Sequence, residues 1–73
     1  MKDTFTVAIH YTSGIKAVAG WAGQARIEDL RSAKAAARRA WDSRPGMMAE
    51  IMCEDGSVWT ASQTHGRGMI WTR

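Results

Sequence analysis

The 73-residue chain has little of what builds covalent or metal scaffolds: one cysteine, Cys53, one proline, Pro45, and two histidines, His10 and His65. A single thiol excludes an internal disulfide framework. Two histidines and one cysteine, far apart in the chain, lack metal-ligand spacing, so neither a metal nor another cofactor is expected. No apolar run approaches the ~18 residues of a membrane-spanning helix. No apolar segment follows a basic start, so no signal peptide is expected, and the expected compartment is a reducing cytoplasm. There is no GxxxxGK[ST] or GxGxxG phosphate loop and no helix-turn-helix or RNP signature. Lysine is also scarce: of ten basic residues only three are lysine, so arginine dominates a formal charge of +3.

What remains describes a small binding domain. Apolar residues at 45% and charged residues at 23% belong to a folded globular chain. One compact domain over residues 1–73 is expected, burying roughly 60% of its unfolded surface, which argues against a deep enclosed active site. Four tryptophans and five methionines are many for this length. Some of them should be surface anchors, since such residues are enriched at interfaces. The mild positive charge biases encounters toward acidic partners.

The expected fold is α+β: a four- or five-stranded antiparallel sheet with one helix packed on one face, in the order ββαβββ or, if the second strand fails, βαβββ. Thr4 to Thr12 alternates, with Phe5, Val7, Ile9 and Tyr11 on one side, which reads as a half-buried strand. Ser13-Gly14 is the expected turn. Ile15 to about Ala22 reads as a weaker strand, interrupted by Gly20 and Gly23 as at a bulge. Asp29 is a candidate N-cap for a helix from Leu30 to about Asp42. Leu30, Ala33, Ala37, Ala40 and Trp41 form its apolar stripe. Pro45 and Gly46 end it by breaking the helix and reversing the chain. Met47 to Glu54 and Ser57 to Gln63 read as a hairpin around a two-residue Asp55-Gly56 loop, with Met69 to Thr72 as a last short strand. That register sets Cys53 opposite Val58 and Met52 opposite Trp59. It places Met47, Ala49, Ile51, Cys53 and Val58 inward and leaves Met52 and Trp59 on the outer face. The expected core is Phe5, Val7, Ile9, Leu30, Ala33, Ala37, Trp41, Ile51 and Val58.

Enzyme chemistry needs titratable groups converging in a pocket. Cys53 reads as buried, so a Cys-His pair is not expected, and the chain reads as a non-enzyme. Three features suggest binding. Arg31, Lys34 and Arg38 fall opposite the apolar stripe with Arg39 beside them, a basic ridge facing solvent. Arg67, within His65-Gly66-Arg67-Gly68, could help cradle an anion. Trp59 could be an exposed platform, against a protein partner or a nucleic-acid base.

The helix segment Glu28-Asp29-Leu30-Arg31-Ser32-Ala33-Lys34-Ala35-Ala36-Ala37-Arg38-Arg39 resembles that of a family of small phage-type anti-CRISPR proteins, the ninth-numbered inhibitors of type I-F systems. That family has a helix opening Glu-x-Leu-x-x-Ala-Lys, matched by Glu28, Leu30, Ala33 and Lys34, and a C-terminal hairpin rich in tryptophan. Gly46, Ile51 and Gly56 with the following Trp-bearing strand keep a similar layout, and the resemblance covers about half the chain. Ala35 stands where the family has a second basic helix residue. The resemblance implies an inhibitor in the host bacterial cytoplasm. It would bind the backbone subunits of the CRISPR surveillance complex and sterically block target DNA hybridisation. By matched position, Lys34 and Arg39 would be contacts; Arg31 and Arg38 join them from helix geometry. Two other readings stand beside it: a basic nucleic-acid-binding protein, and another phage host-takeover factor binding a bacterial protein. The chain could act as a monomer or, through a spare edge strand or a Met52-Trp59 patch, as a homodimer.

Overall fold

The computed structural model describes residues 4–64 and 68–73. Five strands and one helix follow in the order β1 (Phe5–Tyr11), β2 (Gly14–Ala19), α1 (Leu30–Ser43), β3 (Met48–Cys53), β4 (Val58–Thr64) and β5 (Gly68–Thr72). The strands form one antiparallel sheet, ordered β2-β1-β3-β4-β5. The fold is thus α+β in the ββαβββ order, and the second strand forms.

The alternation of β1 does what its pattern requires. Val7 and Ile9 are fully buried against the helix, with Phe5 and Tyr11 packed at the margins. β3 runs beside it with Ile51 opposite Val7 and Ala49 opposite Ile9, so the same face continues. Ala33, Ala37 and Trp41 of α1 close the core from above. Alanine at 33 and 37 lets the helix axis approach the sheet, and Ile51 and Val7 fill the space. The helix lies across β1, β2 and β3. Trp59 and Trp71 reach in from β4 and β5.

The helix begins at Asp29, whose carboxylate accepts the Ser32 amide at 2.9 Å. This bond to an otherwise orphan N–H holds the Asp29 carboxyl below its ordinary pKa. At the other end the Arg44 amide donates to the Ala40 carbonyl. Gly46 has a reason other than reversal. A side chain there would press on Ile9 Cγ2 and the His10 carbonyl, which accepts the Met47 amide at 2.7 Å. Glycine is needed for close approach.

Three expectations need correction. The first turn is Thr12-Ser13, because Tyr11 already pairs with Gly14. The second hairpin has a three-residue loop, Glu54-Asp55-Gly56. The Gly56 amide donates to Cys53 O, the Cys53 amide donates to Ser57 O, and Gly56 has φ +96°. This is a turn closed by a glycine bulge, and the extra residue slips the register by one. Ile51 therefore faces Trp59, and Met52 faces Val58. Slipping by one exchanges faces. Val58 leaves the core and is 38% exposed, and Trp59 turns to the helix side. Met47, expected inward, is exposed for a different reason: it precedes β3, which starts at Met48. The third concerns β2, which ends at Ala19. The irregularity its glycines suggested lies between Val7 and Ala8, where Val18 is the extra residue.

Trp21 completes that bulge. Its indole N–H donates to the Val7 carbonyl at 2.7 Å, satisfying a backbone acceptor where the ladder is broken.

Candidate functional site

The spacing of Arg31, Lys34 and Arg38 places them along one flank of α1. The flank borders the sheet rather than standing opposite it. Lys34 is half-buried, and its Nζ sits 4.8 Å from the centroid of the Trp59 ring. The Arg73 guanidinium approaches the same ring at 5.8 Å. Lys34 is therefore not part of a free ridge, a correction to the helical-wheel reading. It lies on the boundary between core and solvent, with its stem packed and its charge at the rim. Each cation–π contact of this kind contributes about 0.5–1 kcal/mol.

The slipped register of the second hairpin creates this cluster. Had the loop been two residues, Trp59 would have turned to the far face, away from Lys34. Arg73 was not singled out from the sequence. The signal was present but needed the register: Thr72 pairs with Thr60, so the next residue comes beside Trp59. Arg73 also contributes to holding the Asp55 carboxyl below its usual range, after the stronger hydrogen bonds from the Ser57 hydroxyl and amide.

The other predicted residues are distributed differently. Arg38 donates through Nε to both oxygens of Asp42 at 3.2 Å, an exposed i,i+4 pair that offsets its charge. Arg31 and Arg39 are exposed. Arg39 is turned by roughly 100° around the axis from Arg38, so it does not extend the Lys34 flank. Arg67 and the rest of the expected anion loop at His65-Gly66 lie outside the described residues. The structure thus brings Lys34, Trp59 and Arg73 together, keeps Arg31 and Arg38 on the same flank, and sets Arg39 apart.

A second cationic pair was missed. The Arg44 guanidinium lies 4.6 Å from the Tyr11 ring centroid, while the Tyr11 hydroxyl donates to the Arg44 carbonyl at 2.7 Å. Together they border a cleft of about 190 Å³ that Lys16, Val18, Ala40 and Ser43 help to line.

Among the described residues no helix covers the far face of the sheet. Its strands present Thr6, Ala8 and His10 beside Met52, Glu50 and Met48. His10 Nε2 lies 3.6 Å from Glu50 Oε1. Cys53 is buried on the helix face, opposite Phe5, so His10 and Cys53 are on different sides of the sheet. Among the described residues no group of three or more His, Cys, Asp or Glu side chains could hold a metal. No helix among them is long and apolar enough to cross a membrane. The Met52-Trp59 patch considered for a dimer does not exist, because the two residues lie on opposite faces.

No family profile, characterised protein or solved structure is detectably similar to the chain.

Proposed function

We propose that the chain is a non-enzymatic binding protein whose working surface is the Lys34–Trp59–Arg73 cluster together with Arg31 on the adjoining helix turn. The observation that carries this reading is the placement of two cations on one half-buried tryptophan, 4.8 and 5.8 Å from its ring. Tryptophan and arginine are the residue types that dominate binding energy when an interface covers them. The partner chemistry that suits the cluster is an acidic or polar protein surface. A carboxylate reaching Lys34 or Arg73 beside the indole would be partly shielded from water, which strengthens the pairing.

The finer proposal is that this partner is the backbone of a type I CRISPR surveillance complex and that binding blocks target DNA hybridisation. It is supported by the Glu28, Leu30, Ala33, Lys34 motif and by the tryptophan-bearing hairpin that follows the helix. The Lys34 contact with Trp59 joins those two elements. Direct nucleic-acid binding by base stacking is favoured less. The Trp59 ring already carries Lys34, the Trp21 indole is engaged with Val7, and Trp41 is buried.

The test is to mix the purified protein with a purified type I-F surveillance complex before adding target DNA. Stable co-elution, with target hybridisation lost, is expected. The double variant Lys34→Glu and Arg73→Glu should keep its fold and lose co-elution, because substitutions at exposed or rim positions usually cost little stability. Absence of co-elution by the unaltered protein would remove the CRISPR reading. Unchanged affinity in the folded double variant would remove the cluster.

A further inference from the structure

The sheet has two edges, and they are built differently. β2 is protected in the ways that block pairing with another chain. It carries Lys16 at its centre, its ladder with β1 is broken by the Val18 bulge, and the helix crosses over it. β5 has none of these. Its five residues, Gly-Met-Ile-Trp-Thr, contain no charge and no proline. Its ladder with β4 runs through five consecutive pairs without irregularity. Its outer row of backbone N–H and C=O groups is therefore a regular, uncharged template for a further strand.

The surroundings of β5 agree with this. Its Ile70 is 48% exposed on the face away from the helix. Beside it runs an open groove of about 360 Å³ lined chiefly by Met47, Met48, Thr60, Ile70 and Thr72. On the other face Trp71 is only half-buried, because α1 is centred over β1 to β3. The β4–β5 side of the sheet is thus under-covered on both faces; β2 also exposes Ile15, at 67%, but there the charge of Lys16 and the broken ladder stand against further pairing.

We propose that β5 is the dimerisation edge of this protein, and that the strand completing it is β5 of a second copy, paired antiparallel about a two-fold axis. A second copy is the occupant that the chemistry favours. The edge offers no charge for a foreign strand to read, whereas antiparallel pairing of a strand with itself is self-complementary by symmetry. The two sheets then join into one of ten strands with both helices on the same side. In the antiparallel arrangement the two Arg73 side chains lie at opposite ends of the junction. The two Trp71 rings come to flank the junction between the helices, and the two Ile70 side chains shield each other on the far face. This inference does not depend on the identity of any outside partner.

The experiment is light scattering across a concentration series, read against the 8.1 kDa chain mass. The expected result is a doubled mass that falls to the single-chain value in Ile70→Lys, with the far-ultraviolet circular dichroism unchanged. Should Ile70→Lys fail to fold, Thr72→Lys, at another exposed β5 position, decides in its place by the same loss of the doubled mass. A single-chain mass at every concentration overturns the proposal. So does a doubled mass that a folded β5 lysine variant leaves intact, since the contact would then lie elsewhere.

Discussion

Gly20 and Gly23 allow a controlled test of how the β2–α1 connection is held. Both have left-handed backbones, at φ +82° and +86°. Alanine at either position suffers the same conformational penalty, about 1–2 kcal/mol. Their surroundings differ. A Cβ at Gly23 would meet nothing within 4 Å, whereas at Gly20 it would collide with the Phe5 carbonyl oxygen and crowd Thr6 Cα at 3.2 Å. The obstacle is backbone of β1, whose Phe5 amide is itself tied to the Ile27 carbonyl at 2.9 Å. It cannot swing aside as a side chain would. Forcing extra volume into such a site costs a further ~1–3 kcal/mol. Gly20→Ala should therefore be less stable than Gly23→Ala by that amount. For a domain of this size the gap corresponds to roughly 4–24 °C in melting temperature. Thermal unfolding followed by circular dichroism reads it directly. Failure of Gly20→Ala to fold, beside a cooperative transition for Gly23→Ala, carries the same meaning. Equal melting temperatures would refute the close approach of the connection to β1.

Further outcomes follow from other contacts. Trp21→Phe keeps the ring but leaves the Val7 carbonyl without its donor, so urea denaturation should show a loss of about 1–3 kcal/mol. Ile51→Ala removes a fully buried side chain from between Val7 and the helix, and should cost about 2–5 kcal/mol in the same assay. The lowered carboxyls of Asp29 and Asp55 contribute stability that is present above their unfolded value of about 4 and is lost as pH falls through their folded values. An acid titration of the melting temperature should therefore show a smaller decline in Asp29→Asn/Asp55→Asn than in the unaltered chain. An unchanged acid slope would mean that the Asp29 cap and the Asp55 loop hydrogen bonds are not formed in solution. Arg38→Ala should alter stability by no more than about 0.5 kcal/mol, because its pair with Asp42 is exposed.

Local patterns along the chain were enough for most of the architecture. The two-residue period of Phe5 to Tyr11 and the stripe of Ala33, Ala37 and Trp41 each have only one amphipathic solution. Asp29 declares its cap because the orphan amides of a helix start need a short acceptor. Those features assign strands, helix and most of the core. Tertiary structure decided where one residue of register mattered. Asp55-Gly56 reads equally as a two-residue loop or as part of a three-residue loop with a bulge. The difference exchanges Val58 for Trp59 on the helix face. The candidate site depends on that exchange, since it brings Trp59 to Lys34 and lets Arg73 join them. The helical spacing of Arg31, Lys34 and Arg38 was legible, but which of them meets an aromatic ring was not. Helix periodicity specifies a direction around an axis, and only packing against the sheet says what lies in that direction.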